Sequence, residues 1–98
     1  MNEIIIINDD LSEYIDEIQN YVKELTPISD MALLLNVNER RLRDAIDDLS
    51  SPVSLAYRQA KAQVALELRR RDIELAEAGS STAADEVNAH LRRMIRDE

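Results

Sequence analysis

The sequence lacks cysteine and contains one histidine, one glycine and two prolines among its 98 residues. Without cysteine there is no disulfide, no thiolate metal site and no cysteine nucleophile. A single histidine leaves Zn²⁺ short of its usual nitrogen ligands. So few turn-forming residues exclude a sheet of many strands. These absences predict an all-α protein with no metal and no cofactor.

Aromatic residues and signs of membrane insertion are also scarce. Three tyrosines are the only aromatic residues, so aliphatic side chains must fill the core. The run Ile4–Ile7 is too short for the apolar part of a signal peptide, and no segment is long enough to span a bilayer. We expect a single cytoplasmic domain over residues 1–98 that makes no use of a membrane.

Residues 1–9 form an apolar and acidic leader. Four consecutive isoleucines favour a short β-strand at 3–8. A lone strand is stable only when it pairs or packs on something, such as another subunit. A tail without regular structure is the alternative.

The spacing of apolar residues predicts five helices. The first, at 10–25, has an apolar stripe that ends with Leu25. Thr26 caps the second, Pro27 takes its first position, and the helix stops near Asn36. The third is a helix from Asn38 to Leu49, with Asn38 as its cap and Leu49 in its buried stripe. Ser50-Ser51-Pro52 caps a helix at 52–78, Gly79 stops that helix, and a last helix at 82–96 follows. A three-helix unit at 10–50 thus precedes a helical hairpin at 52–96.

Residues 27–49 match the requirements of a helix-turn-helix. Ala32 is the small residue needed where two helices cross closely. Asn36, four positions later, tolerates the left-handed conformation of a tight turn. Val37 follows that turn, and Leu42 lies on the inner face of the second helix. A tight helical hairpin without a DNA-binding role could show the same pattern.

The outer face of the third helix carries the candidate DNA-binding residues. Recognition helices insert their N-terminal residues into the major groove, where Arg reads guanine and Asn reads adenine. The residues at this end are Asn38, Glu39, Arg40, Arg41 and Arg43. Basic residues near the start of a helix and acidic residues after them interact unfavourably with the helix dipole. Helix stability alone would favour the reverse order, so this order favours a role in binding an external ligand. A solvated helix with salt bridges is the alternative.

The formal net charge of −8 opposes a nucleic-acid role. Its distribution is uneven, because residues 1–30 hold eight acids and one base. The rest of the chain is nearly balanced, with eleven bases and twelve acids. The acidic excess therefore lies ahead of the predicted helix-turn-helix.

The helix at 52–78 has apolar residues on two sides, which predicts two buried sides. One side would pack on its own domain, and the other, with Leu55, Leu66 and Ile73, on another copy of the chain. We find no phosphate-binding loop, nucleophile motif or metal-spaced histidine, and His90 is interpreted as a packed or surface residue. An enzyme is not expected.

From residue 26 onward the chain resembles the small terminase subunits of tailed phages and prophages. Residues 30–37 are similar to the family's "iA.llgv", residues 51–62 to its "SPl..ay..gka" and residues 73–84 to its "lA..Gnp.A". Asn36 departs from the family's glycine. The resemblance implies binding of packaging-site double-stranded DNA, ring assembly through the helices after the helix-turn-helix, and contact with a large motor subunit. A transcription regulator and a helical scaffold protein without nucleic acid are the alternatives.

Overall fold

A computed structural model describes residues 11–97. Within that range a 3₁₀ turn, Ser12–Tyr14, precedes five α-helices and no strand is present. The helices are α1 (Ile15–Lys23), α2 (Ile28–Leu35), α3 (Glu39–Asp47), α4 (Pro52–Glu77) and α5 (Ser81–Asp97). The prediction of an all-α fold is confirmed. The leader at 1–9 and the strand at 3–8 lie outside the described residues.

The chain divides into two compact units, Met1–Gln63 and Val64–Glu98, and the division falls inside α4. Each unit has its own packing. In the part of the chain that the structure describes, none of the helices combines the length and the apolar character needed to cross a bilayer.

The core of the first unit is aliphatic, as the scarcity of aromatic residues requires. Four large side chains have no exposed surface: Ile18, Met31, Leu42 and Val53. Each contributes roughly 1.5–3 kcal/mol by leaving water. They come from α1, α2, α3 and α4 respectively, so every helix of this unit contributes to one core.

Ser51 links α3 to α4. Its hydroxyl donates to the carbonyl of Ala45 at 2.7 Å and accepts from the backbone N–H of Ser54 at 3.0 Å. The second bond caps the start of α4. The predicted cap within residues 50–52 is therefore present, and Ser51 supplies it. Arg58 adds a further link by donating from Nη2 to the carbonyl of Leu49 at 3.3 Å.

Both ends of α1 differ from the prediction, since residues 12–14 form a 3₁₀ turn and the α-helix begins at Ile15. The helix ends at Lys23, and Leu25 adopts a left-handed conformation with φ of 63° and a side chain that is 67% exposed. The N–H of Thr26 donates to the carbonyl of Tyr21, and that of Leu25 to Val22. This is a Schellman motif, which turns the chain and removes Leu25 from the apolar stripe.

The start of α2 is one residue later than predicted. Pro27 has extended backbone angles (φ −65°, ψ 154°) and occupies the N-cap, where its carbonyl accepts from the N–H of Met31. Thr26 is thus not the cap and Pro27 is not the first helical residue. A ψ near 150° lies outside the helical region, so Pro27 precedes the helix. Its fixed φ sets the direction in which the chain enters α2.

The end of α3 is also earlier than predicted. Asp47 is the last helical residue, and Leu49 is 71% exposed instead of buried. The carboxylate of Asp48 accepts from the hydroxyl of Ser50 at 2.6 Å and from its N–H at 3.0 Å. These bonds turn the chain out of the helix and, the hydroxyl bond first, lower the pKa of Asp48.

The second unit is a hairpin of the C-terminal half of α4 and the whole of α5. Gly79, with φ of 104°, ends α4 as predicted, and the hydroxyl of Ser80 caps α5 by accepting from the N–H of Ala83. Among residues 64–97 Ala83 alone is buried. The apolar side chains of this unit therefore keep much of their surface exposed.

Replacement of Leu25 tests the strain at the end of α1. Leu25→Gly should stabilise the fold by about 0.5–1 kcal/mol, because glycine removes a left-handed penalty of roughly 1–2 kcal/mol and loses part of that gain as extra freedom in the unfolded chain. Urea unfolding followed by circular dichroism measures the change. Leu25→Ala is the control, since it shortens the side chain and retains the strain. Equal stability of the two variants would contradict the explanation.

Candidate nucleic-acid interface

The turn between α2 and α3 depends on Asn36. This residue is left-handed, with φ of 56° and ψ of 47°. The N–H of Val37 donates to the carbonyl of Ala32 at 3.0 Å, and the N–H of Asn36 to Leu33 at 3.2 Å. The two bonds form a Schellman motif, with asparagine in place of the more frequent glycine. The position and the conformation predicted for Asn36 are both confirmed.

The packing between α2 and α3 follows the predicted pattern. Ala32 is buried on α2, and Leu42 and Ile46 are buried on α3. Val37 and Ala45 are half-buried. A small side chain at Ala32 allows the two helices to approach closely. The inner face of α3 is therefore fixed, and its opposite face is left for solvent or a ligand.

The outer face of α3 carries charges of both signs in a defined order. Arg40 and Arg43 lie in its first half, and Asp44 and Asp47 in its second half, and all four are exposed. Arg41 is exposed as well. Positive charge therefore collects at the N-terminal end of α3 and negative charge at its C-terminal end. An anionic partner can approach the first end more favourably than the second.

Glu39 and Arg43 form an ion pair that was not predicted from the sequence. The Nε of Arg43 donates to Oε2 of Glu39 at 2.9 Å, and both side chains are 47% exposed. Acid before base at this spacing is the stabilising order on a helix, with a typical value of about 0.3–0.5 kcal/mol. Arg43 thus has a structural partner. The side chain of Arg40 has no ion pair or hydrogen bond within residues 11–97.

Asn38 is the N-cap of α3, as predicted. Its Oδ1 accepts from the backbone N–H of Arg41 at 3.0 Å. Reading of adenine by asparagine needs both the oxygen and the NH₂ group of the amide. Because the cap already uses Oδ1, the NH₂ group is the part of Asn38 available to a ligand. A contact with a phosphate suits this arrangement better than a paired contact with a base.

The predicted assembly residues lie in both units. Leu55, in the first unit, is exposed. Leu66 is half-buried and Ile73 is exposed, and both line an open cavity of about 680 Å³ in the second unit. The cavity lies between α4 and α5 and includes Leu91 and Met94. Leu66 and Ile73 therefore face α5 of their own chain as well as solvent.

Comparison of the chain with protein-family models, with curated proteins and with solved structures gives no significant match. What the surface of α3 can do follows from its side chains. Guanidinium groups are always charged and can donate paired hydrogen bonds to a phosphate or to guanine. The exposed guanidinium groups of Arg40, Arg41 and Arg43 could therefore accommodate an anion.

Replacement of Ala32 tests the helix crossing. Ala32→Leu should destabilise the first unit by about 1–3 kcal/mol, because the larger side chain has no room between α2 and α3. Leu33→Ala is the matched control: Leu33 is 80% exposed, so its loss should change stability by less than about 0.5 kcal/mol. Thermal unfolding measures both. A tolerated leucine at position 32 would show that the helices do not cross there.

Proposed function

We propose that this chain binds double-stranded DNA by placing the N-terminal end of α3 in the major groove. The observation that carries the proposal is the exposure of three arginines on α3, opposite a buried face set by Leu42 and Ile46. The left-handed turn at Asn36 is the feature that holds α3 in this orientation.

The charges on α3 favour contact with DNA through the N-terminal end of this helix. The N-terminus of a helix carries partial positive charge and unpaired N–H groups, which favour phosphate. Arg40 adds a full positive charge that no acid neutralises among the described residues. Asp44 and Asp47 lie further along the same face and would be repelled by phosphates. DNA is therefore expected to contact residues 38–43, at the N-terminal end of α3, and binding should fall steeply with salt.

Self-association is the second part of the proposal. Six large apolar side chains of the second unit are 44–59% exposed: Leu68, Ile73, Leu75, Leu91, Met94 and Ile95. A unit with this much exposed apolar surface gains stability when another copy covers it. Several copies would also place several α3 helices on one DNA molecule, which raises the total affinity of a weak single contact.

The resemblance to small terminase subunits extends the proposal to phage DNA packaging. A packaging protein would assemble into a closed ring, bind the packaging site and contact a large motor subunit. A transcription regulator would instead form a dimer on a palindrome. Light scattering distinguishes the two, because a ring of many subunits has several times the mass of a dimer.

Removal of two arginines tests the DNA contact. Arg40→Ala combined with Arg43→Ala should weaken binding to a long duplex and reduce the slope of log affinity against log salt by about 1.8, the loss of two phosphate contacts. Fluorescence anisotropy at several salt concentrations measures both quantities. Circular dichroism should show unchanged helicity.

The matched control removes the same charge elsewhere. Arg92→Ala combined with Arg96→Ala gives an identical net charge, and both residues are exposed on α5. An equal loss in both double variants would mean that net charge, and not α3, decides binding. A wild-type chain that does not bind a long duplex at low salt would contradict the proposal and favour a helical scaffold.

Charge introduced on α4 tests self-association. Leu55→Asp and Ile73→Asp should each lower the oligomeric mass, because an aspartate at an apolar interface loses its hydration. Gln59→Asp is the control, since it adds the same charge at an exposed polar position of α4. Light scattering measures mass and circular dichroism verifies folding. A monomeric wild type would overturn this part alone.

A further inference from the structure

Three potential metal ligands converge within the second unit. Asp72 lies on α4, and Glu86 and His90 lie one turn apart on α5. One ligand atom of each residue lies within 4.8 Å of the other two. We propose that these three side chains bind a divalent transition-metal ion that joins α4 to α5.

The distance between the ligand atoms of Asp72 and His90 suits a shared ion. Oδ2 of Asp72 and Nε2 of His90 are 3.0 Å apart. Two ligands with bonds of about 2.0–2.1 Å to one ion lie about 2.9 Å apart at a right angle and about 3.4 Å apart at the tetrahedral angle. The observed distance falls between these values. Only a small displacement of either side chain is needed to admit the ion.

Glu86 supplies the third ligand. It lies four residues before His90, so both side chains are on the same face of α5. Glu86 is exposed, while His90 and Asp72 are 23% and 27% exposed. Rotation of the longer glutamate side chain can bring its carboxylate to an ion held between the other two. Water would complete the coordination on the open side.

The ring of His90 has one nitrogen suited to the ion. Its Nδ1 is buried and has no hydrogen-bond partner among the described residues. Its Nε2 faces Asp72 and is therefore the ligating atom. Because no acceptor orients the Nδ1 side of the ring, we expect weaker binding than in a zinc site whose histidines are held by such partners.

The donor set selects the kind of ion. One imidazole with two carboxylates suits Zn²⁺, Co²⁺ or Ni²⁺, whereas Mg²⁺ and Ca²⁺ prefer oxygen ligands alone. The ion would act structurally, since it bridges two helices of a unit in which Ala83 is the one buried residue among 64–97. Binding to the folded hairpin alone would then raise its stability.

A Zn²⁺ titration of the full-length chain, stripped of metal with a chelator, tests the site. We expect one Zn²⁺ per chain by calorimetry, a rise in unfolding temperature with Zn²⁺ but not with Mg²⁺, and a shift of the imidazole nitrogen resonances. His90 is the only histidine, so its ring signals are identified directly. His90→Gln should lower the affinity at least 10- to 100-fold, and Glu86→Gln should lower it less.

Asp85→Asn is the matched control, because it removes the neighbouring exposed carboxylate of α5 and should leave the affinity unchanged. Unchanged ring resonances in the wild type at saturating Zn²⁺ would overturn the proposal, and this measurement needs no variant to fold. An affinity that is the same in the wild type and in His90→Gln, or the same for Zn²⁺ and Mg²⁺, would overturn it as well.

Discussion

The left-handed conformation of Asn36 is the constraint on which the first unit depends. A helical residue at this position would join α2 and α3 into one rod, and Leu42 and Ile46 could not then reach the core together with Met31. Asparagine adopts this conformation at lower cost than other residues except glycine. The bonds from Val37 to Ala32 and from Asn36 to Leu33 satisfy carbonyls that would otherwise be unpaired. The direction of α3, and hence the surface it presents, follows from this turn.

The distribution of charge then determines which kind of partner that surface can bind. Residues 11–63 carry nine acids and six bases, so the unit as a whole repels a polyanion. The arginines at the N-terminal end of α3 form a local positive surface, and the aspartates at its C-terminal end limit the size of that surface. Glu39 further offsets Arg43. Such a surface suits an anionic contact of small area, confined to the N-terminal end of α3.

Sequence patterns were sufficient for the number and order of the helices, for the caps at Asn38 and Ser51 and for the turns at Asn36 and Gly79, because each depends on residues that are near in sequence. They failed where a local bond competes with periodicity. Leu25 continues an apolar stripe but occupies a left-handed turn, and Leu49 continues another but follows the turn that Asp48 and Ser50 form. They also failed for Asp72 and His90, which are eighteen residues apart and meet only because Gly79 reverses the chain.

The sparse burial in the hairpin of α4 and α5 lowers the free energy that is needed to open it locally. Opening of a segment costs little when few side chains must be transferred to water, so its backbone amides should exchange with solvent at a lower free energy than those near Ile18 or Val53. Because the division between the units falls within α4, one helix would contain both slowly and rapidly exchanging amides. The C-terminal half of that helix would then be a separate cooperative element, able to fray and re-form while the N-terminal half stays folded.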